Sequence, residues 1–191
     1  MGLDMYLYRK LYCKNWSHMK PEEKHSVLVK KAGKKRTDIK PERISEVTEE
    51  VMYWRKANAI HKWFVDNVQG GIDKCQETNV SREQLAELLA VCKKVLNNSK
   101  LVAGKINNGY GMRLVDGKSV KEVYVEDGKV IADAETAQEF LPTAEGFFFG
   151  STDYNEWYYN DVKETADCLE KLLAEDDGKD YHVSYSYQSS W

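Results

Sequence analysis

The amino-acid sequence predicts an α+β fold: a small, mostly antiparallel sheet that holds both terminal strands, packed by three main helices, with a β-hairpin excursion. Both ends of the chain alternate apolar and polar residues with the period of a strand. Three internal segments instead repeat apolar residues at helical spacing. The length of 191 residues suits a single domain, residues 1–191, in which residues 105–132 form a hairpin insertion.

The N-terminal segment begins with a strand over GLDMYLYRKLY (2–12), in which Leu3, Met5 and Leu7 form the buried face. Residues 14–43 are basic and turn-rich. Within them SVLV (26–29) predicts a short strand, and KKAGKKR (30–36) predicts a loop or hairpin tip. Such a charge run is usually a solvated surface, and the alternative is a clamp on phosphates or on an acidic partner.

Residues 44–68 predict the first main helix. Gly70-Gly71 ends it, and its start is open, because the alternation around Val47 and Val51 also fits a strand that ends before Trp54. The helical assignment rests on eight residues at alternating spacings of three and four: Ile44, Val47, Val51, Trp54, Asn58, His61, Val65 and Val68.

The second main helix opens with a capping box, in which Ser81 is the N-cap and Gln84 is the third helical residue. The apolar face of this second helix is Leu85, Leu88, Leu89, Cys92, Val95 and Leu96.

The hairpin is predicted from two Asp-Gly-Lys triplets, at 116–118 and 127–129, which lie between β-branched runs and predict its turns.

The C-terminal part predicts a short helix over 134–141, ended by Pro142, and a buried strand over GFFFG (146–150). Asp153 and Glu156 form a capping pair for the last helix. The tail YHVSYSYQSSW (181–191) alternates like the first strand, so we expect both strands in one sheet, flanking the Phe strand. The core stripe of the last helix is Tyr158, Val162, Ala166, Leu169 and Leu173.

Charge and cysteine content narrow the function classes. Residues 1–43 are basic, with 12 Lys and Arg against 5 Asp and Glu, but the net charge of the whole chain is −3. A dedicated nucleic-acid binder is not expected, because such proteins are basic overall. Nucleic acid is expected only through the Lys30–Arg36 loop. Cys13, His18 and His25 lack the spacing and the fourth ligand of a zinc site, so no metal or cofactor is predicted. Without an apolar leader or membrane span, the chain is expected in the cytoplasm with reduced thiols.

The stretch YWRKANAIHKWF (53–64) is the first candidate site. Asn58 and His61 interrupt its apolar face, and a buried polar side chain is costly unless it is hydrogen-bonded. Both residues are either satisfied within the core or line a pocket. In the pocket interpretation Trp54 or Trp63 stacks on a base, Asn58 pairs with it, and Arg55 binds an anion, which suits a nucleotide.

The stretch FFFGSTDYNEWYY (147–159) is the second candidate. Ser151 and Thr152 at a helix start offer hydroxyl and amide groups to an anion, although Asp153 and Glu156 more simply cap the helix. The acidic face of the last helix (Glu164, Asp167, Glu170 and Glu175) is either solvated or meets a basic host protein. One helix face cannot bury all of its early aromatic residues, so some line a groove or face a partner: Tyr154, Trp157, Tyr158 and Tyr159.

Several stretches together, GLDMYL, YWRKANAIHKWFVDNVQ, VSREQL, FFFGSTDYNEWYY and QSSW, resemble a family of small uncharacterised phage and prophage proteins. The resemblance touches most of the chain, least in residues 14–43 and 100–132. It implies a phage or prophage origin and a place in the cytoplasm of a bacterial host, where host takeover or anti-defence is an associated role. It transfers no catalytic residue.

The sequence favours binding over catalysis. It contains no recognisable hydrolase, metalloprotease or phosphate-loop motif, and a dyad of His61 with Ser151 or Cys75 is an arbitrary pairing. The primary expectation is therefore a phage-type accessory protein that binds a host protein. The alternatives are a protein that binds or sequesters a nucleotide on the Trp54, Asn58 and His61 face, and a small enzyme acting on nucleotides or nucleic acid.

Overall fold

The computed structural model describes residues 2–191, with Lys121 described by its backbone alone, and it has the α+β architecture that the sequence predicts. Helices and strands contribute in similar amounts, and short turns connect most of them. The strands are β1 Asp4–Tyr12, β2 Lys30–Lys31, β3 Lys34–Lys35, β4 Glu46–Arg55, β5 Thr78–Val80, β6 Leu101–Val115, β7 Lys118–Ile131 and β8 Val183–Ser190. The helices are α1 Asn58–Asn67, α2 Arg82–Asn97, α3 Glu135–Phe140 and α4 Glu156–Glu175.

The main sheet has the strand order β4-β1-β8-β5, with every neighbour antiparallel. The prediction that both terminal strands lie in one sheet is confirmed, and β1 pairs directly with β8 without a strand between them. Alternate side chains of both strands enter the core, among them the fully buried Met5, Leu7 and Tyr187, and Leu3, just before β1, is buried with them. These side chains and the four helices form one cluster of buried apolar residues.

The helices confirm most of the predicted end signals. Ser81 caps α2 as predicted: its hydroxyl accepts the Gln84 amide at 3.1 Å, and the Gln84 side chain accepts the Ser81 amide at 2.9 Å. The helix α3 ends just before Leu141 and Pro142. Helix α4 packs along α2 and buries its stripe of apolar residues, with Leu172 in place of the half-buried Leu173.

The predicted helix over 44–68 is wrong in its first half, where β4 runs from Glu46 to Arg55 before α1 begins. The cause is a β-bulge: Leu7 pairs with Met52 and Tyr8 with Glu50, which leaves Val51 unpaired. An extra residue in a strand reverses the inside–outside alternation. Val47, Val51 and Trp54 therefore acquire a spacing that imitates a helix. The alternative of a strand before Trp54 is the correct one, although the strand extends through Arg55.

The predicted buried strand over GFFFG is also wrong, since residues 147–149 form a turn and Phe147 is 91% exposed. The turn is held through its backbone: the Phe148 carbonyl accepts the Leu3 amide at 3.1 Å, and the Phe149 carbonyl accepts the Asn58 side chain. The terminal strands consequently flank no Phe strand in the described sheet. Gly150 adopts a φ of +89°, a conformation that favours glycine and that a strand does not use.

Two shorter predictions are corrected. SVLV (26–29) is not a strand, and the ladder forms instead at the lysines of the predicted hairpin tip, around the positive-φ turn Ala32-Gly33. The N-cap of α4 is Asn155, whose side-chain oxygen accepts the Trp157 amide at 2.9 Å, and not Asp153. The Glu156 carboxylate accepts the Lys129 amide, so it joins α4 to β7 instead of closing a capping pair.

The segment predicted as an insertion, 105–132, belongs to a long hairpin, β6–β7, that begins earlier, at Leu101, and pairs with itself and not with the main sheet. The triplet at 116–118 forms its turn, with Asp116 and Gly117 at positive φ. The prediction of a second turn at 127–129 is wrong, because this triplet lies inside β7. Gly128 leaves room there for packing: a Cβ at this position would lie 2.6 Å from the buried Ile106 side chain.

Candidate functional site

Three aromatic or imidazole side chains of the first candidate site are sealed in the core. Trp54, His61 and Trp63 are 3%, 1% and 6% exposed. The Trp54 indole donates to the Thr165 hydroxyl at 2.8 Å, so its one polar atom is satisfied. No face formed by these three residues is open to a base, and they act in packing.

The His61 imidazole is fixed from both sides. Its Nδ1 lies 2.7 Å from the Tyr187 hydroxyl and its Nε2 lies 3.0 Å from an Asp73 carboxylate oxygen, which also accepts the Trp191 indole at 2.9 Å. Burial lowers the pKa of His61 and outweighs the opposing effect of Asp73. Because Tyr187 and Asp73 occupy both ring nitrogens, His61 forms no catalytic dyad with Ser151 or Cys75.

Asn58 joins the start of α1 to the segment that follows Pro142. Its amide donates to the carbonyls of Phe149 at 3.0 Å and Ser151 at 2.8 Å, and its side-chain oxygen accepts the Ala144 amide at 3.1 Å. The side chain is 4% exposed and its hydrogen-bonding groups are engaged. Asn58 therefore positions a loop and does not read a base.

The loop positioned by Asn58 forms one wall of a cleft of about 850 Å³. The opposite walls are the corner between β4 and α1, the first turns of α4, and the bulge of the hairpin at Asn107–Tyr110. We call this space the loop cleft. Five predicted site residues line it: Arg55, Asn58, Ser151, Thr152 and Trp157.

The last of the predicted site residues, Tyr154, does not line the loop cleft. Tyr154 is half-buried, its hydroxyl accepts the Thr143 amide at 3.2 Å, and its ring packs against Tyr158. The Ser151 hydroxyl donates to an Asp153 carboxylate oxygen at 2.9 Å. The Ser151 hydroxyl that was predicted to bind an anion is therefore engaged by the Asp153 carboxylate. The negative charge of this carboxylate also repels an anion at the same place.

The loop cleft has a cationic corner at Arg55 and Lys56, neither of which forms an ion pair with any residue in 2–191. Lys56 adopts a φ of +62°, which is unfavourable for a residue with a side chain. Gly150 makes this corner compact, because a Cβ on it would lie 3.1 Å from the Lys56 Cβ. Sequence reasoning missed Lys56, since one basic residue between a strand and a helix has no distinguishing pattern.

The other side of the loop cleft carries aromatic and acidic groups. The Trp157 side chain is 41% exposed, and Phe147 projects at the rim. Asp161, one helical turn after Trp157, is half-buried and its carboxylate has no hydrogen bond to another described group. Burial, with a smaller effect of Glu164, raises the pKa of Asp161 to about 7. A raised pKa beside an open cleft is typical of a functional carboxyl group.

A second feature lies on the distal hairpin. In β6 and β7 the side chains of Met112, Leu114, Val123 and Val125 point to one face, because each pair is two residues apart and the strands pair Tyr110 with Val123. We call these four residues the hairpin apolar face. They are 65%, 76%, 45% and 58% exposed. The sequence predicted this hairpin but not its exposed apolar side chains, which also occur on the opposite face, where Val115, Val120 and Tyr124 are 44%, 47% and 54% exposed.

No family model, curated protein or solved structure matches this chain. Among residues 2–191 no cluster of three or more His, Cys, Asp or Glu side chains is placed to hold a metal ion. Within the same residues no helix combines the length and the apolar character needed to cross a bilayer. The four cysteines are free thiols.

Proposed function

We propose that this chain is a phage-type accessory protein that acts by non-catalytic binding to a host protein, with the hairpin apolar face as its contact surface. The observation that supports the proposal most is the open apolar face of Met112, Leu114, Val123 and Val125. The host as the source of the partner rests on the resemblance of the chain to phage and prophage proteins.

An isolated two-stranded hairpin is only marginally stable in water. Single exposed apolar residues are common on proteins, but a contiguous exposed set is typical of a binding surface. Leu114 and Val123 lie on opposite strands of the same face, so a partner that covers them also covers the space between the strands. Burial of this face against a partner would contribute to the affinity of the complex and would also stabilise the hairpin.

The body of the protein supports a binding role over turnover. The one histidine of the helices, His61, holds the C-terminal strand through Tyr187 and a loop through Asp73. The exposed carboxylates of α4, with Lys163 and Lys93 as partners for two of them, offer a charged rim to a basic protein. The basic N-terminal segment and the acidic α4 offer a partner two regions of opposite charge.

The experiment is a comparison of the tagged full chain with a variant in which residues 105–130 are replaced by a short linker. We expect the full chain to retain one stoichiometric protein from a bacterial lysate, and the variant to lose it while its circular dichroism still shows a folded body. Retention by the variant would overturn the role of the hairpin. A purified full chain that forms a stable dimer through the hairpin would replace the host protein by a second copy.

A further inference from the structure

The loop cleft has the size and the walls of a small-ligand site. Its volume of about 850 Å³ lies within the range of ligand pockets in proteins. Four separate parts of the chain enclose it, and three of them are fixed by hydrogen bonds: the loop by Asn58, the start of α4 by Asn155, and the β4–α1 corner by the bond from the Lys56 amide to the Leu3 carbonyl. Such a space is largely formed before a ligand arrives.

The cationic corner indicates an anionic group on the ligand. Arg55 and Lys56 are adjacent, both line the cleft, and neither has a carboxylate partner in the described chain. Glycine would adopt the backbone conformation at position 56 without strain, whereas lysine does so at a cost. Lys56 lines the cleft next to Arg55, and a guanidinium and an ammonium together suit a phosphate group.

The aromatic wall indicates a planar ring on the same ligand. Trp157 presents 41% of its surface, although its backbone is fixed by the N-cap of α4. Base–aromatic stacking tolerates any base because every base has a π-face. The Asn107 and Asn108 side chains of the hairpin bulge line the cleft too, and their amides can donate to and accept from a base edge.

The acidic group in the cleft indicates hydroxyl donors. The Asp161 carboxylate has no hydrogen-bond donor in the described chain, and Asn160 lines the cleft beside it. Carboxylates accept hydrogen bonds from the ribose hydroxyl groups in dinucleotide sites. A ligand with a ring, vicinal hydroxyls and a phosphate would meet the three kinds of group that the cleft presents.

We infer that the loop cleft binds a nucleoside phosphate, with Arg55 and Lys56 on the phosphate, Trp157 on the base and Asp161 on the ribose. This site differs from the one that the sequence predicts, because Trp54 and His61 are sealed in the core and Asn58 is engaged by the loop. The four residues that would contact the ligand are not those of the hairpin apolar face, so either proposal can fail alone.

The test is calorimetric titration of the full chain with ATP, GTP, adenosine and pyrophosphate as separate ligands. We expect one saturable site for at least one of the nucleotides, and affinities at least about tenfold weaker for adenosine and for pyrophosphate. Lys56→Gly should weaken nucleotide binding at least about tenfold and keep the fold, since glycine relieves the strained φ. Trp157→Ala should weaken it by a similar factor.

The matched control is Lys171→Ala, which removes another exposed lysine, on α4 outside the cleft, and should leave the affinity unchanged. Leu114→Lys on the hairpin should also leave it unchanged, which separates this test from that of protein binding. The inference is overturned by the absence of saturable binding of either nucleotide at about 1 mM. It is also overturned if pyrophosphate binds as tightly as the nucleotides, or if Lys56→Gly and Lys171→Ala bind alike.

Discussion

At the residue scale, Asn58 holds the wall of the loop cleft in place. Its side chain makes three hydrogen bonds to the backbone at Ala144, Phe149 and Ser151. Asn58→Ala would leave these backbone groups without partners, and each such loss costs about 1–3 kcal/mol when the group is buried. We expect the free energy of unfolding in urea to fall by about 2–4 kcal/mol.

Asn67→Ala is the matched control for this substitution. Asn67 lies on the same helix, is exposed, and makes one local hydrogen bond, to the Trp63 carbonyl. Its replacement should change the free energy of unfolding by less than about 0.5 kcal/mol. Equal losses in Asn58→Ala and Asn67→Ala would contradict the role given to Asn58.

Asp161 makes the free energy of unfolding depend on pH, and its contribution decreases as the pH rises. Its pKa rises from an ordinary value of 3.8 to about 7 in the folded protein, chiefly because the carboxyl group is buried. The folded state therefore binds the proton more tightly, and this contribution to stability is lost as the pH rises through 7. Asp161→Asn should raise the free energy of unfolding at pH 8 by about 2 kcal/mol, and the gain should vanish near pH 4.

Asp167→Asn, on the same helix, should act with the opposite sign. The hydrogen bond from Lys163 lowers the pKa of Asp167, so its contribution is present above its ordinary pKa and is lost as the pH falls. Urea unfolding of both variants at pH 8 and pH 4 measures the difference. An Asp161→Asn variant that is less stable than the wild type at pH 8 would refute the assignment of a half-buried, unpaired carboxyl group to Asp161.

At the element scale, the root of the hairpin depends on close packing at Gly128. This glycine faces Gly104 across the strands, and a Cβ on it would lie 2.6 Å from Ile106 and 2.8 Å from the Glu156 carboxylate. Gly128→Ala should lower the free energy of unfolding by about 1–3 kcal/mol through overpacking, and increase amide exchange along β6 and β7.

Gly111→Ala on the distal hairpin is the comparison for Gly128→Ala. The added methyl group would meet the end of the exposed Tyr124 side chain, which can turn away into solvent. Its effect on the free energy of unfolding should stay below about 0.5 kcal/mol. If the two substitutions destabilise the protein equally, packing at the root does not hold the hairpin.

The elements that could be predicted from the sequence have local causes. The capping box at Ser81 and Gln84 acts within one helical turn, and the terminal strands alternate apolar and polar residues over most of their length. The failures have non-local causes. The bulge at Val51 depends on pairing with β1, and the turn at Phe148 depends on bonds to Leu3 and Asn58. Apolar spacing alone cannot distinguish these cases.

At the scale of the whole molecule, the two proposed sites meet at the hairpin. The bulge at Asn107–Tyr110 lines the loop cleft, and the strands beyond it carry the hairpin apolar face. The body beneath is closed by its two terminal strands and four helices. The protein thus separates a fixed body from a projecting surface, an arrangement suited to binding.

The candidate sites could be predicted from the sequence only in part. The excess of aromatic residues around Trp157 correctly indicated that not all of them are buried. Trp54, Asn58 and His61 did not indicate a site, because their partners, Thr165, the 144–151 backbone and Tyr187, come from distant parts of the chain. A polar residue within an apolar sequence pattern therefore did not show whether its side chain is hydrogen-bonded in the core or lines a binding site.

The most direct measurement is the retention of a host protein by two single variants of the full chain. Leu114→Lys places a charge on the hairpin apolar face, and Val120→Lys places the same charge on the opposite face of the same hairpin. We expect Leu114→Lys to reduce the retained partner at least about tenfold, a loss typical of a buried contact, and Val120→Lys to retain it. Equal retention by both variants would contradict the account.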